Sequence, residues 1–312
     1  MQRQGNNVLR ALAQRRQGDG KDVQAVEEVG AELALSQESL EILIGGRDDA
    51  GVCRDALGTA DALKAFLPRL EQARSDMSRL GIGGSAAGTG LNVPVEYRRM
   101  MVEELSRQLG IELRQAPDYF SAMQSHNDSV FLSNVVAGVA VELIRIANDL
   151  RLLSSGPRTG LAEILLPPVQ PGSSIMPGKV NPVMAEMLNM VCFQVMGYNT
   201  AINWAAQAGQ LELNVMMPLI ANDLIEMLEI LTNAMRAFTE RCVKGITAYP
   251  DRCRWYAENS ISMVTVLNTY IGYDKAAEVA KEAVATGKSL REVILEKNLL
   301  TPEQLEKLFD LR

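Results

Sequence analysis

The sequence predicts an all-α protein, a central bundle of long helices followed by a small helical C-terminal domain. Three observations carry this. Apolar residues recur at helical spacing over long stretches, with no convincing run of strand period. Only 5% of the 312 residues are aromatic, while Ala, Leu, Met and Val are abundant, a mix that favours helices over sheets. Glycine and proline clusters fall between the periodic segments rather than inside them.

The elements follow in order. Residues 22–44 carry Val26, Val29, Leu33, Leu40 and Leu43 at helical spacing, and 48–58 reads as loop. A second helix is expected over about 60–80, kinked at Pro68 and ended by Gly81-Ile82-Gly83-Gly84. A short amphipathic helix covers 94–109. Pro117 opens a much longer one reaching about Leu153, whose stretch Val135–Val141 is apolar on nearly every face and is therefore expected to be buried all round. Its length suits packing against other subunits as well as its own. Glu142 and Arg145 make it a bundle helix rather than a membrane span.

Ser154-Ser155-Gly156-Pro157 ends that helix, and the five prolines within 157–181 make an extended excursion. Helix resumes at Pro182, continues to about Ala206, and returns from about Pro218 to Lys244. Shorter helices are expected at 253–258, 261–270, 275–286, 289–297 and 302–309. Ser289-x-x-Glu292 and Thr301-x-x-Gln304 fit capping boxes. The expected organisation is a divergent segment 1–47, a central bundle domain 48–248 and a small helical domain 249–312.

Composition narrows the chemistry. A formal net charge of −7 argues against nucleic acid as a partner. The cysteines Cys53, Cys192, Cys242 and Cys253 form no Cys-x-x-Cys pair, and His126 is the single histidine, so neither a metal nor a cofactor is expected. Reduced thiols fit a cytoplasmic protein. Arg3, Arg10, Arg15 and Arg16 precede any acidic residue and read as a solvated basic terminus; no secretory signal is visible.

Residues 172–182 read Gly-Ser-Ser-Ile-Met-Pro-Gly-Lys-Val-Asn-Pro. Two hydroxyls, an ammonium and an amide share one loop between two long helices, where binding and catalysis tend to sit. A serine can act as a base if its alkoxide is stabilised, and backbone N–H groups of a Gly/Ser turn with a nearby lysine can do so. Lys179 suits a carboxylate, and Asn181 can hydrogen-bond its oxygens. The block Gly83–Gly90 has neither a preceding strand nor a Gly-Lys-Ser/Thr, so it reads as a tight turn rather than a phosphate cradle. His126 reads as a satisfied polar residue, and Met216-Met217 as core filler.

The 172–182 run closely resembles the mobile serine loop of the fumarase/aspartase superfamily, in the branch of class II fumarases and aspartate ammonia-lyases. Further segments resemble the same family: Gly83–Asn92, Ile146–Leu152 with Ser155–Arg158, Gly209–Asn214, Leu267–Tyr273, Thr286–Ser289 and Leu299–Thr301. Gln170 and Gly209-Gln210-Leu211-Glu212 are closer to the aspartase wording.

The resemblance implies that Ser173 is the general base beside a substrate carboxylate. It implies that Ser174, Lys179 and Asn181 bind that carboxylate, and that Glu186 is an acidic residue supporting the site from behind. The implied reaction converts L-aspartate to fumarate and ammonia, without metal or organic cofactor, in a homotetramer whose sites draw residues from several chains.

Residues 1–60 resemble the family weakly. Gln4–Asn7 is a faint counterpart of one substrate-binding block, and Gly46-Arg47-Asp48-Asp49 carries two acids where the family has polar ligands. Two alternatives follow beside the aspartate lyase. One is a fumarate hydratase-like lyase. The other is a helical assembly subunit, either noncatalytic or completed by a longer paralogue. The isolated chain is expected to turn over weakly or not at all.

Overall fold

Helix α1, Leu67–Met77, begins where Pro68 can serve it: a proline in the first turn loses no hydrogen bond and brings a pre-set φ. The expected kink at Pro68 is thus replaced by a helix start. The computed structural model describes residues 62–309. The expected helix at 22–44, the blocks at 4–7 and 46–49, Cys53 and the 1–47 segment lie outside the described residues.

The described residues divide into two compact units. Residues up to Asp149 together with Pro168–Lys244 form the first, and Leu150–Pro167 with the residues from Gly245 onward form the second.

In the first unit, α1 buries Leu70 and Ala73 and leads into β1, Arg79–Leu80, which pairs in parallel with β2, Arg114–Gln115. The glycine block runs between them. Gly88 has φ +92°, and a Cβ there would lie 2.5 Å from the backbone nitrogen and Cα of Phe120, so only glycine permits this approach. Helix α2, Tyr97–Leu109, ends in a left-handed Gly110. Its Arg98 lies 4.0 Å over the Tyr119 ring and donates from Nε to the Gly83 carbonyl at 3.1 Å, which pins the glycine block to the helix.

The single helix expected from Pro117 to Leu153 is two. Helix α3, Tyr119–Gln124, is capped by Asp118, whose carboxylate accepts from Phe120 and Ser121 N–H. Ser125 then takes an extended conformation, and its hydroxyl accepts from the Asn127 amide at 3.3 Å. This local bond competes with helix continuation and breaks the run.

Helix α4, Asn127–Leu153, spans about 40 Å at 1.5 Å per residue. It is long and apolar enough to cross a membrane by length and composition. Ser133, Val135, Val136, Ala137, Val139, Ala140, Leu143 and Ala147 are buried, whereas Val141 is 49% exposed. Within the single chain one side of the apolar stretch faces outward; the expectation of burial on every face included packing against other subunits.

Helices α5, Val183–Gln207, and α6, Met217–Arg241, pack along each other. The buried positions of α5 (Ala185, Leu188, Asn189, Cys192, Val195, Ile202, Ala205) repeat at three and four residues, as a core-facing stripe requires. Asparagines fix the register of α5 against α4. Ser133 Oγ donates to Asn199 Oδ1 at 2.7 Å, and Asn189 Nδ2 donates to Asn148 Oδ1 at 2.8 Å. A one-turn slip would leave these groups unpaired in a low-polarity core. Leu143, Leu188, Ile202, Met227 and Phe238 are almost fully buried, each adding about 1.5–3 kcal/mol by burial.

The second unit opens on β3, Ile164–Leu165, antiparallel to β4, Thr247–Ala248. Arg252 on α7, Pro250–Asn259, donates to the Leu161 carbonyl at 3.1 Å and lies 4.7 Å over the Tyr256 ring. A 3-10 turn at Ile261–Met263 precedes α8, Val264–Ile271. Helices α9 (Tyr273–Thr286), α10 (Leu290–Glu296) and α11 (Pro302–Phe309) complete it. Leu267, Val279, Leu290, Val293, Ile294 and Leu305 form its core. Both expected capping boxes are present: Glu292 and Ser289 bond reciprocally, as do Gln304 and Thr301.

Candidate active site

The loop 172–182 belongs to the first unit and ends at the start of α5. Its shape follows from its residue types. Ser173 Oγ accepts hydrogen bonds from the backbone N–H groups of Ile175 and Met176, each at 3.2 Å. A serine hydroxyl folded back on the next turn is a common local motif, but here it also presents two fixed donors to one oxygen. Gly178 has φ +79°, the left-handed conformation that turns the chain back toward Lys179.

The neck of the loop is closed by two bonds on Gly172. Its N–H donates to the Lys179 carbonyl at 2.9 Å, and its carbonyl accepts from Asn181 Nδ2 at 3.0 Å. The loop borders an open cleft of about 460 Å³, lined by Pro168, Gln170, Ser173, Met176, Gly178 and Lys179 among others. Ser173 and Lys179 therefore share one cleft. Ser174 is exposed, Asn181 is half-buried at the neck, and Glu186 lies half-buried in the first turn of α5. Gln170, read from the sequence only as a mark of likeness, contributes to the cleft wall. Gly172, directly before the paired serines, reads from the sequence only as one of the glycines that let the loop close; both of its backbone polar groups are bonded across the neck.

The arrangement can stabilise negative charge. Two amides point at Ser173 Oγ, a lysine shares its cleft, and the N-terminal end of α5, the positive end of its dipole, follows directly. Among the described residues, no group of three or more His, Cys, Asp or Glu side chains is placed to hold a metal ion. Burial pushes the Cys192 thiol up to about 12 and the Cys242 thiol up to about 11, so both are poor nucleophiles in the folded protein.

His126 sits between α3 and α4. Burial holds its imidazole below the usual histidine range, opposed by a hydrogen bond with the Asn214 backbone. Its Nε2 is buried without a partner among the described residues, so the expectation of a fully satisfied histidine is corrected. Because the folded state resists protonation, the unfolded state binds the proton first as pH falls. Stability is therefore full above about pH 6.5, the ordinary histidine value, and falls as pH drops through the lower folded-state value. Urea midpoints measured between these limits should decline in the unaltered protein and flatten in His126→Gln.

With this geometry in hand, the relatives are informative. A family profile described as lyase matches residues 54–197, and one described as fumarase C C-terminus matches residues 263–312. An aspartate ammonia-lyase of Corynebacterium glutamicum is 47% identical over 237 residues, 76% of this chain and 45% of that protein. One from a Bacillus species is 41% identical over 274 residues, 88% of this chain and 57% of that protein. The chain spans about half the length of the curated relatives it matches.

Among solved structures, the fumarate lyase:delta crystallin from Brucella melitensis in native form has a TM-score of 0.78 at 39% identity. That match covers 91% of this chain and 67% of that one. A class II fumarase from Schistosoma mansoni has a TM-score of 0.73 at 32% identity, covering 93% of this chain and 65% of that one. The helical architecture, the serine loop and these likenesses agree: the chain belongs to the fumarase/aspartase superfamily.

Proposed function

We propose that the protein is a carbon–nitrogen lyase of the aspartate ammonia-lyase kind, eliminating ammonia from L-aspartate to give fumarate. The observation that carries this is Ser173 Oγ, held by two backbone N–H groups in a cleft it shares with Lys179. As an alkoxide, Ser173 takes a proton from the carbon beside one substrate carboxylate. The electron pair moves into that carboxylate as an enediolate-like intermediate, then returns to form the carbon–carbon double bond as the C–N bond breaks. Ser174, Lys179 and Asn181 bind the carboxylate and its developing charge, and Glu186 supports them from the first turn of α5.

The names of the relatives support the substrate. The free thiols of Cys192, Cys242 and Cys253 suit a cytoplasmic enzyme. A fumarate hydratase-like reaction, expelling the hydroxyl of L-malate after the same proton abstraction, is favoured instead by the profile match over 263–312. Fumarate absorbance, followed with L-aspartate and separately with L-malate, decides between them. The expected result is slow formation from L-aspartate; a rate confined to L-malate would replace this reading with the second.

The working form is a homotetramer. Met190, Phe193 and Trp204 on α5 and Leu219 and Ile225 on α6 are exposed apolar side chains on helices of the bundle, of the kind subunit contacts cover. Native mass spectrometry should give four chains per particle. A monomer would overturn the assembly, and particles formed only with a longer paralogue would make this chain its partner subunit.

A further inference from the structure

We propose that Gly172 and Asn181 form a clasp at the neck of the serine loop that sets the spacing between the base and the cation. The inference rests on the lyase reading and adds two positioning roles to it. Gly172 precedes Ser173 directly, and its N–H is bonded to the carbonyl of Lys179 itself. The two residues that carry the chemistry are thus tied across the neck by a bond in which one of them takes part. The second tie, from Asn181 Nδ2 to the Gly172 carbonyl, satisfies the other polar group of the same peptide segment. Closing an eight-residue segment at its ends removes much of the freedom its side chains would otherwise have.

The clasp explains why glycine stands at 172, since no left-handed φ requires it there. A Cβ at Gly172 would meet the Lys179 carbonyl oxygen at 2.6 Å, the Lys179 carbonyl carbon at 2.9 Å and the Asn181 nitrogen at 3.0 Å. These are backbone atoms that cannot swing aside, so any side chain forces the two strands of the neck apart. The amide of Asn181 carries two hydrogens, and one is committed to Gly172. The other is left to reach a substrate oxygen, so the clasp orients the donor that the carboxylate would meet. Binding of the carboxylate and closure of the neck are then coupled through one side chain.

The test compares the unaltered protein with Gly172→Ala and Asn181→Ala. Two readings are taken: amide hydrogen exchange of the peptide spanning residues 168–182, and steady-state kinetics with L-aspartate. Both substitutions lie on a partly exposed loop, and a circular dichroism spectrum verifies that the helices persist. Exchange should quicken by about tenfold in both variants, as loss of a neck hydrogen bond gives. In Gly172→Ala, kcat should fall on the order of 100-fold with a much smaller change in KM, because displacement of a reacting group by about 1 Å has that effect. Asn181→Ala should lower kcat and raise KM together.

Unchanged exchange in Asn181→Ala overturns the clasp. Quicker exchange with kcat intact in Gly172→Ala overturns its positioning role. If the unaltered protein forms no fumarate, the lyase reading falls and the positioning role with it, while exchange still decides whether the neck is clasped.

Discussion

Ser173→Ala should reduce fumarate formation from L-aspartate by about 10²–10⁴-fold, the range for removing a positioned general base. The fold should be untouched. Ser173 is half-buried on a surface loop, and among the described residues its hydroxyl bonds only to the N–H groups of the next turn. Loss of those two bonds frees two amides that water can reach, so the circular dichroism spectrum and the urea midpoint should hardly move. Ser174→Ala is the control. Its side chain is exposed, and its proposed role is that of a carboxylate ligand, so its larger effect should be on KM. Retention of kcat within tenfold in Ser173→Ala would place the base elsewhere.

The largest expected effect on stability is at Asn214. This side chain is completely buried between the C-terminal end of α5 and the start of α6. Its Nδ2 donates to the carbonyls of Ala205 at 3.0 Å and Ala206 at 2.9 Å, and its Oδ1 accepts from Met216 N–H at 2.8 Å. Its backbone N–H donates to the Met123 carbonyl at 3.2 Å, which ties the connection to α3. Asparagine therefore ends one helix, starts the next and anchors a third.

Asn214→Ala would leave the part-buried Ala206 carbonyl and Met216 amide without the partner Asn214 gives them, while the buried Ala205 carbonyl would keep only the Ala208 N–H at 3.2 Å. The expected loss is about 3 kcal/mol, read as a lower urea midpoint with little change in slope. Asn203→Ala makes the comparison, since that side chain is only partly buried. A loss below about 1 kcal/mol at Asn214 would mean that water replaces the missing amide.

Most helices were legible because each rests on a local signal. The 3.6-residue stripe of α5, the first-turn proline of α6, the left-handed Gly110 and the Ser289–Glu292 box act within a few residues of themselves. The errors arose where a local cue has two outcomes. Pro68 can kink a helix or begin one, and which occurs depends on whether residues before it are held in helix by packing. Ser125 can continue a helix or cap the next, and the break there separates α3 from α4. The apolar run 135–141 looks alike on all sides, so only the packed neighbours decide that Val141 faces outward.

The serine loop divides in the same way. The order of its residues supplied the candidates for the chemistry, because a hydroxyl, an ammonium and an amide are properties of side chains and survive any fold. Their mutual placement is different. The neck bonds join residues 172, 179 and 181, and the two donors on Ser173 exist only once residues 175 and 176 have turned back. The all-α class and the candidate base are thus determined by the sequence alone, since periodicity and side-chain chemistry are encoded residue by residue. The break at Ser125, the exposure of Val141, the burial of Asn214 and the clasp on Gly172 were decided by the tertiary structure, because hydrogen bonds and contacts between separated residues depend on where folding brings them.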